Sequence, residues 1–170
     1  MDRDIINRVS QGRTPSVGAA AAAAIGILPV VLTTTALSAA TNLAGFHGAM
    51  IEAGIGVFGT AASGSVFIEC EVQECATTGG TYTAVADADL LFPPGDAARQ
   101  PATAASGTFF CSKSTTNADL SGLYTVGYRG NKQFIKVNVR LTGTQSTGTP
   151  VSVVITAGYP DYAPTVGNAS

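Results

Sequence analysis

The sequence predicts an all-β protein, an antiparallel two-layer sandwich preceded by an extended N-terminal arm. Three observations predict it. Three separate stretches alternate apolar and polar residues with a period of two, turn residues punctuate the chain between them, and no stretch after residue 45 carries a helical period. At 170 residues the chain fits one domain, with length left for an arm or a tail.

The first 44 residues read as the arm. Met1–Ser16 is polar, with Gly12 and Pro15 and no sustained period, and such segments are ordered only where something ties them down. Val17–Leu32 is apolar, but its sixteen residues include six alanines and fall short of the roughly 20 that cross a bilayer. It is expected to lie against protein, helical or extended. Arg3, Arg8 and Arg13 ahead of it, and Ala36–Ala40 behind it, imitate the order of a secretory signal. Against that reading, Asp2 and Asp4 dilute the basic region and Pro29 interrupts the apolar stretch.

Residues 45–164 read as the sandwich. In Val66–Glu74 one face carries Val66, Ile68, Cys70 and Val72, and the other Glu69, Glu71 and Gln73. In Gln133–Leu141 the inner set is Ile135, Val137, Val139 and Leu141, while Lys136, Asn138 and Arg140 point away. Pro150–Tyr159 groups Val151, Val153, Ile155 and Ala157. Strands with one wet face are the mark of antiparallel sheets packed in pairs. Weaker alternation marks Phe46–Phe58 (broken at Gly54 and Gly56), Tyr82–Ala86, Thr108–Ser112 and Leu123–Tyr128. Thr77–Gly80 is the turn into Tyr82–Ala86, and Arg129–Lys132 is expected as a tight hairpin between Leu123–Tyr128 and Phe134–Leu141. Leu91–Thr116 reads as a long irregular excursion, started by Pro93-Pro94-Gly95-Asp96, and excursions of that length are commonly functional. Residues 165–170 read as a free tail. About seven short strands with turns between them favour an immunoglobulin-like or jelly-roll-like sandwich.

Composition narrows the function. Ala, Thr and Gly make up 40% of the chain and charged residues only 12%, about half the usual share. A surface so low in charge suits packing against copies of itself or a partner. Nine Lys/Arg against eleven Asp/Glu, with no basic run, argues against a nucleic-acid partner. One histidine, His47, with no ligand or carboxylate cluster near it in sequence, reads as a strand-start or interface residue. Cys70, Cys75 and Cys111 lack the spacing of a zinc site; Cys70 reads as core, and a Cys75–Cys111 disulfide stays open. Glu69 and Glu71 share a face about 7 Å apart. Paired carboxylates can serve glycosidic chemistry or calcium, but cross-strand pairing with Lys136 and Arg140 accounts for them more simply. No nucleophile elbow, phosphate loop or dinucleotide fingerprint is present in the sequence. The expectation is a protein without catalytic residues, metal or cofactor.

Four segments carry a resemblance: Phe67–Glu74, Gly80–Leu90, Gly127–Val137, and Thr147–Val151 through Gly158-Tyr159-Pro160. Together they are similar to small virion proteins that tailed bacteriophages and prophages encode beside the major capsid gene. The likeness spans about residues 45–164 and consists of strands and turns, with no catalytic motif. The chain departs from the pattern in three places. Cys75-Ala76-Thr77-Thr78 stands where the turn is usually acidic and rich in Ser and Asp, the 91–116 excursion is long, and the Ala-rich arm has no counterpart.

The resemblance implies a structural virion protein, foremost a decoration or cement protein on the phage head. Its partners would be the major capsid protein and copies of itself, a trimer first, with no nucleic acid and no membrane; assembly would take place in the host cytoplasm. A head–tail connector, tail or spike component is the alternative within the virion. A carbohydrate-binding adhesin is the alternative outside that class, since tyrosines stack on sugar rings. Contact residues are expected in the arm at Arg3, Ile5, Arg8, Val9, Arg13, Ile25, Ile27 and Leu28. Phe92 and Phe109 would add contacts from the excursion, and Tyr162 from the C-terminal end.

Overall fold

The computed structural model describes residues 24–93, 105–113 and 120–160, with the backbone alone for residues 24, 25, 159 and 160. Eleven strands are present among them. In chain order they are β1 (Ala24–Leu32), β2 (Ala36–Leu37), β3 (Thr41–Asn42), β4 (Phe46–Ile55), β5 (Phe67–Cys75) and β6 (Thr83–Ala84). A single 3-10 turn, Asp87–Asp89, leads into β7 (Leu90–Leu91), β8 (Thr108–Cys111), β9 (Gly122–Tyr128), β10 (Phe134–Thr142) and β11 (Thr149–Pro160). The protein is all-β, as its alternating stretches require.

The strands form two antiparallel sheets. The first runs β1-β11-β4-β9-β7, and the second β2-β10-β5-β6. In the second sheet β3 also lies along β10, and β8 along β5. Alternation sends one side of each strand inward. Ile51 and Ala53 of β4, Val126 of β9, and Val153 and Ile155 of β11 are completely buried in the first sheet. Ile68, Cys70 and Val72 of β5 and Ile135, Val137 and Val139 of β10 are completely buried in the second. All of them belong to one cluster, so the arrangement is sandwich-like. Phe110 of β8 and Tyr124 of β9 join the sheets, ring centroids 4.0 Å apart. Each such aliphatic side chain contributes about 1.5–3 kcal/mol on burial.

Four expectations need correction. The sheets begin at Ala24, well inside the segment expected as arm, because β1 pairs with β11 from Ala24↔Ile155 to Leu32↔Thr149. Pro29 is tolerated there because β1 is an edge strand, and two register shifts accompany it. Gly54 does not break β4, which is held on both sides, by β11 at Ser152 and by β9 at Leu123.

Arg129–Lys132 is not a hairpin, since β9 and β10 lie in different sheets. The chain crosses between layers there because Tyr128 is completely buried. Its hydroxyl donates to Glu74 Oε2 (2.7 Å) and accepts the Lys132 N–H (3.1 Å). Gly130 is required at this corner, as a Cβ would run into the Tyr128 ring.

The 91–116 excursion is shorter than expected, because β7 and β8 anchor its flanks. Gly107, at φ +81°, donates its N–H to Asp87 Oδ1 (3.0 Å) and accepts the Val72 N–H at its carbonyl (2.8 Å). Residues 94–104 and 114–119 lie outside the described residues.

Candidate functional site

The outward faces of the two sheets are built from opposite chemistry. On the second sheet, register sets Arg140 opposite Glu69, Asn138 opposite Glu71 and Lys136 opposite Gln73. Arg140 Nε lies 3.0 Å from Glu69 Oε2, and a terminal guanidinium nitrogen 3.5 Å from Glu71 Oε2. The expected carboxylate–arginine stripe is therefore present. Lys136 departs from it: its ammonium sits 3.9 Å from the centroid of the Tyr82 ring. The residue directly opposite it is Gln73, not a carboxylate.

On the first sheet the outward rows are nearly bare. One row is Ser152–Gly54–Leu123, the next Val154–Glu52–Thr125, and the third Thr156–Met50–Gly127 with Leu91 beyond. Glu52 is the one charged side chain among these described positions. Several positions lack a Cβ, and at Gly48 the backbone leaves no room for one. A Cβ on Gly48 would lie 2.6 Å from the Tyr128 carbonyl oxygen, and one on Gly54 2.7 Å from Ser152 Oγ. Glycine within a strand commonly marks close approach of another surface.

At one end of this face an open groove of about 510 Å³ crosses four strands. Gly54 and Gly56 form its floor, and Val30, Val31, Leu123 and Pro150 line it around them. Leu28 (65% exposed), Val31 (55%) and Leu123 (60%) keep their side chains in solvent around it. Clustered exposed apolar side chains mark contact sites.

Two thiols and one phenol lie away from this face and hold their protons tightly. Cys70 is completely buried, and burial pushes its thiol far above the ordinary range, with Cys111 and Glu69 adding to the effect. Burial also raises Cys111, whose thiol donates to Glu69 Oε1 at 3.7 Å. The Tyr128 hydroxyl is raised by burial and by its hydrogen bond to Glu74. All three cysteines are free. Cys111 faces Glu69, while Cys75 lies six residues further along β5, roughly 20 Å away. That separation rules out the Cys75–Cys111 disulfide. No group of three or more His, Cys, Asp or Glu among the described residues is placed to hold a metal ion.

The expected contact residues divide. Leu28 is on the surface beside the groove, whereas Ile27 (9% exposed) and Phe109 (2%) are in the core and offer a partner no surface. Ile27 points inward opposite Val153, and Phe109 is enclosed where β8 lies along β5. Phe92 is half-buried against the core. Ile25 is placed by its backbone in β1. Arg3, Ile5, Arg8, Val9, Arg13 and Tyr162 lie outside the described residues. Val30, Val31, Leu123 and the face glycines were not foreseen. The signal for them is the outward parity of Pro150–Tyr159 and Leu123–Tyr128, which carries no charge at all.

Comparison of this chain with protein-family models, with characterised proteins and with solved structures finds no match.

Proposed function

We propose that this chain is a structural protein of a virion shell, a decoration or cement protein on the head of a tailed phage. In this reading the outward face of the first sheet is its contact surface. The observation that carries the proposal is the asymmetry of the two faces: one charged and internally paired, the other neutral, bared by glycine and rimmed by exposed apolar residues. A charged outer face keeps a protein soluble, while a neutral, flat one adheres without desolvating charge.

The strand order supports the same reading. Taking β2 with β3, and β6 with β8, as single interrupted strands and setting aside the two-residue edge strand β7 between them leaves eight in the order 1-8-3-6 against 2-7-4-5. We read this as a double Greek key, the jelly roll that viral capsid and lectin domains share. Architecture alone does not assign function. The groove favours the capsid reading, since its lining of Val, Ile, Leu, Pro, Gly and Ser holds none of the aromatic rings on which sugars stack.

Magnitude says that the face does not act alone. Four strands about 4.8 Å apart and eight residues long present roughly 500 Å², whereas a stable interface takes about 800 Å² from each partner. The remainder falls to the N-terminal arm and the 92–107 excursion. Partner and site are then the major capsid protein and the outer surface of the head, with assembly in the host cytoplasm. Quantifying copies per purified particle tests the proposal. Hundreds of copies in integer ratio to the capsid protein are expected; six or twelve would assign the chain to a connector or tail ring instead.

A further inference from the structure

The groove across β1, β11, β4 and β9 has an occupant written into the chain. We propose that it seats residues 17–23 of a second copy, so that each protomer grips its neighbour by an exchanged arm. The inference rests on reading this face as a contact surface, and it names the partner at one end of it.

Fit is the first argument. Three inter-strand spacings make the groove about 14 Å long, the span of four or five extended residues. Its floor at Gly54 and Gly56 carries no Cβ, and its lining carries no charge. The chain has no charged residue between Arg13 and Glu52, and Ala19–Ala23 is an unbroken run of methyl side chains. Small side chains are what a glycine floor accepts: they fill it without lifting the backbone away from the Val31 and Leu123 walls.

Direction is the second argument, and it decides whose arm is seated. β1 begins at Ala24 opposite Ile155 and runs toward the groove, reaching Pro150 at Val31. The described chain therefore begins at the far end of the sheet, roughly 17 Å from the groove. To fill its own groove the chain would have to reverse just ahead of Ala24. Ala19–Ala23 contains no Gly, Pro, Asn or Asp, the residues that tight reversals use. The first of them upstream is Gly18. A neighbour's groove is within its reach. Such an arm-to-groove contact joins unlike surfaces and closes as a reciprocal pair or a ring of three.

Sedimentation of the purified full-length chain, without any particle, tests this. The wild type is expected to be oligomeric. Leu123→Lys in the groove wall, and Ala20→Asp with Ala22→Asp in the arm, should each weaken self-association by more than about 30-fold, the effect of burying an unpaired charge. All of these positions are solvent-facing or precede the strands, so circular dichroism and melting temperature should not move. Mixing the two variants should restore one intact arm and one intact groove, giving a heterodimer and nothing larger. A monomeric wild type overturns the inference, as does an oligomer unaffected by Leu123→Lys. Loss with Leu123→Lys but not with the arm variant also overturns it and assigns the groove to a face-to-face contact. Two variants that stay monomeric when mixed would overturn it in favour of an arm seated on its own chain. Copies per particle are not read by this measurement, so the shell proposal stands or falls separately.

Discussion

The outward faces of the two sheets come from strands with the same alternation, yet they solve different problems. On β5 and β10 the outward positions are Glu69, Glu71, Gln73, Lys136, Asn138 and Arg140, and their pairing sets register. On β4, β9 and β11 the outward positions are Gly48, Met50, Gly54, Ser152, Val154, Leu123, Thr125 and Gly127, with Glu52 alone charged. Register there needs no ion pairs, because β4 is held along its length on both edges. The first face thus stabilises the fold, and the second is free to be shaped for a neighbour.

That division predicts opposite results from equivalent substitutions. Val154→Lys with Thr125→Lys flanks Glu52 with two cations on the bare face. Particle binding should fall by more than about 100-fold, with melting temperature nearly unchanged, because desolvating an unpaired charge costs several kcal/mol. Arg140→Gln on the other face leaves Glu71, only 7% exposed, without its cation. Unfolding free energy should drop by about 1–3 kcal/mol while binding persists. Denaturant titration and particle pull-down on both variants check the pair, and a reversed pattern would exchange the roles assigned to the two faces.

The charged face was legible in the sequence and the bare one was not, for a physical reason. Glu69, Glu71 and Arg140 stand out against apolar partners, so both the alternation and the cross-strand pair could be read. A strand buried inside and neutral outside, such as Thr149–Pro160, shows the same inner valines, but its outward Ser152 and Thr156 suggest only solvent. Which strands neighbour each other is long-range information. Nothing local to Arg129–Lys132 says that Tyr128 turns into the core and sends β10 to the other sheet, since its partner Glu74 is 54 residues away. β1 was hidden for a different reason: its two register shifts and Pro29 erase the period that would have revealed it.

The core between the faces gives a prediction of intermediate size. Burial raises Cys70 above the ordinary thiol value of 9.0, and burial with the Glu74 contact raises Tyr128 above 10.0. Both groups bind their proton more tightly in the folded state than in the unfolded one. Their contribution is therefore complete below about pH 9 and is lost as pH rises through the raised folded values. Melting temperature should fall steadily from pH 9 to 11. Cys70→Ala, although less stable at neutral pH, should show a shallower decline over that range. An equal slope in both proteins would mean that the alkaline loss arises elsewhere.

The smallest effect separates the faces most sharply, because it changes one methyl group on the groove floor. A Cβ at Gly54 would meet only the Ser152 hydroxyl oxygen, at 2.7 Å, and that side chain can turn aside. Gly54→Ala should therefore change stability by less than about 1 kcal/mol, since alanine also restricts the unfolded chain. At Gly48 the same change pushes a Cβ against backbone, 2.6 Å from the Tyr128 carbonyl oxygen, and should destabilise by about 1–3 kcal/mol. If the groove is a seat, Gly54→Ala leaves stability nearly unchanged and yet weakens self-association by a few-fold, because the methyl lifts the seated chain off its floor. A glycine kept merely for folding would show the two properties moving together, and thermal melts run beside sedimentation on this single variant distinguish the cases.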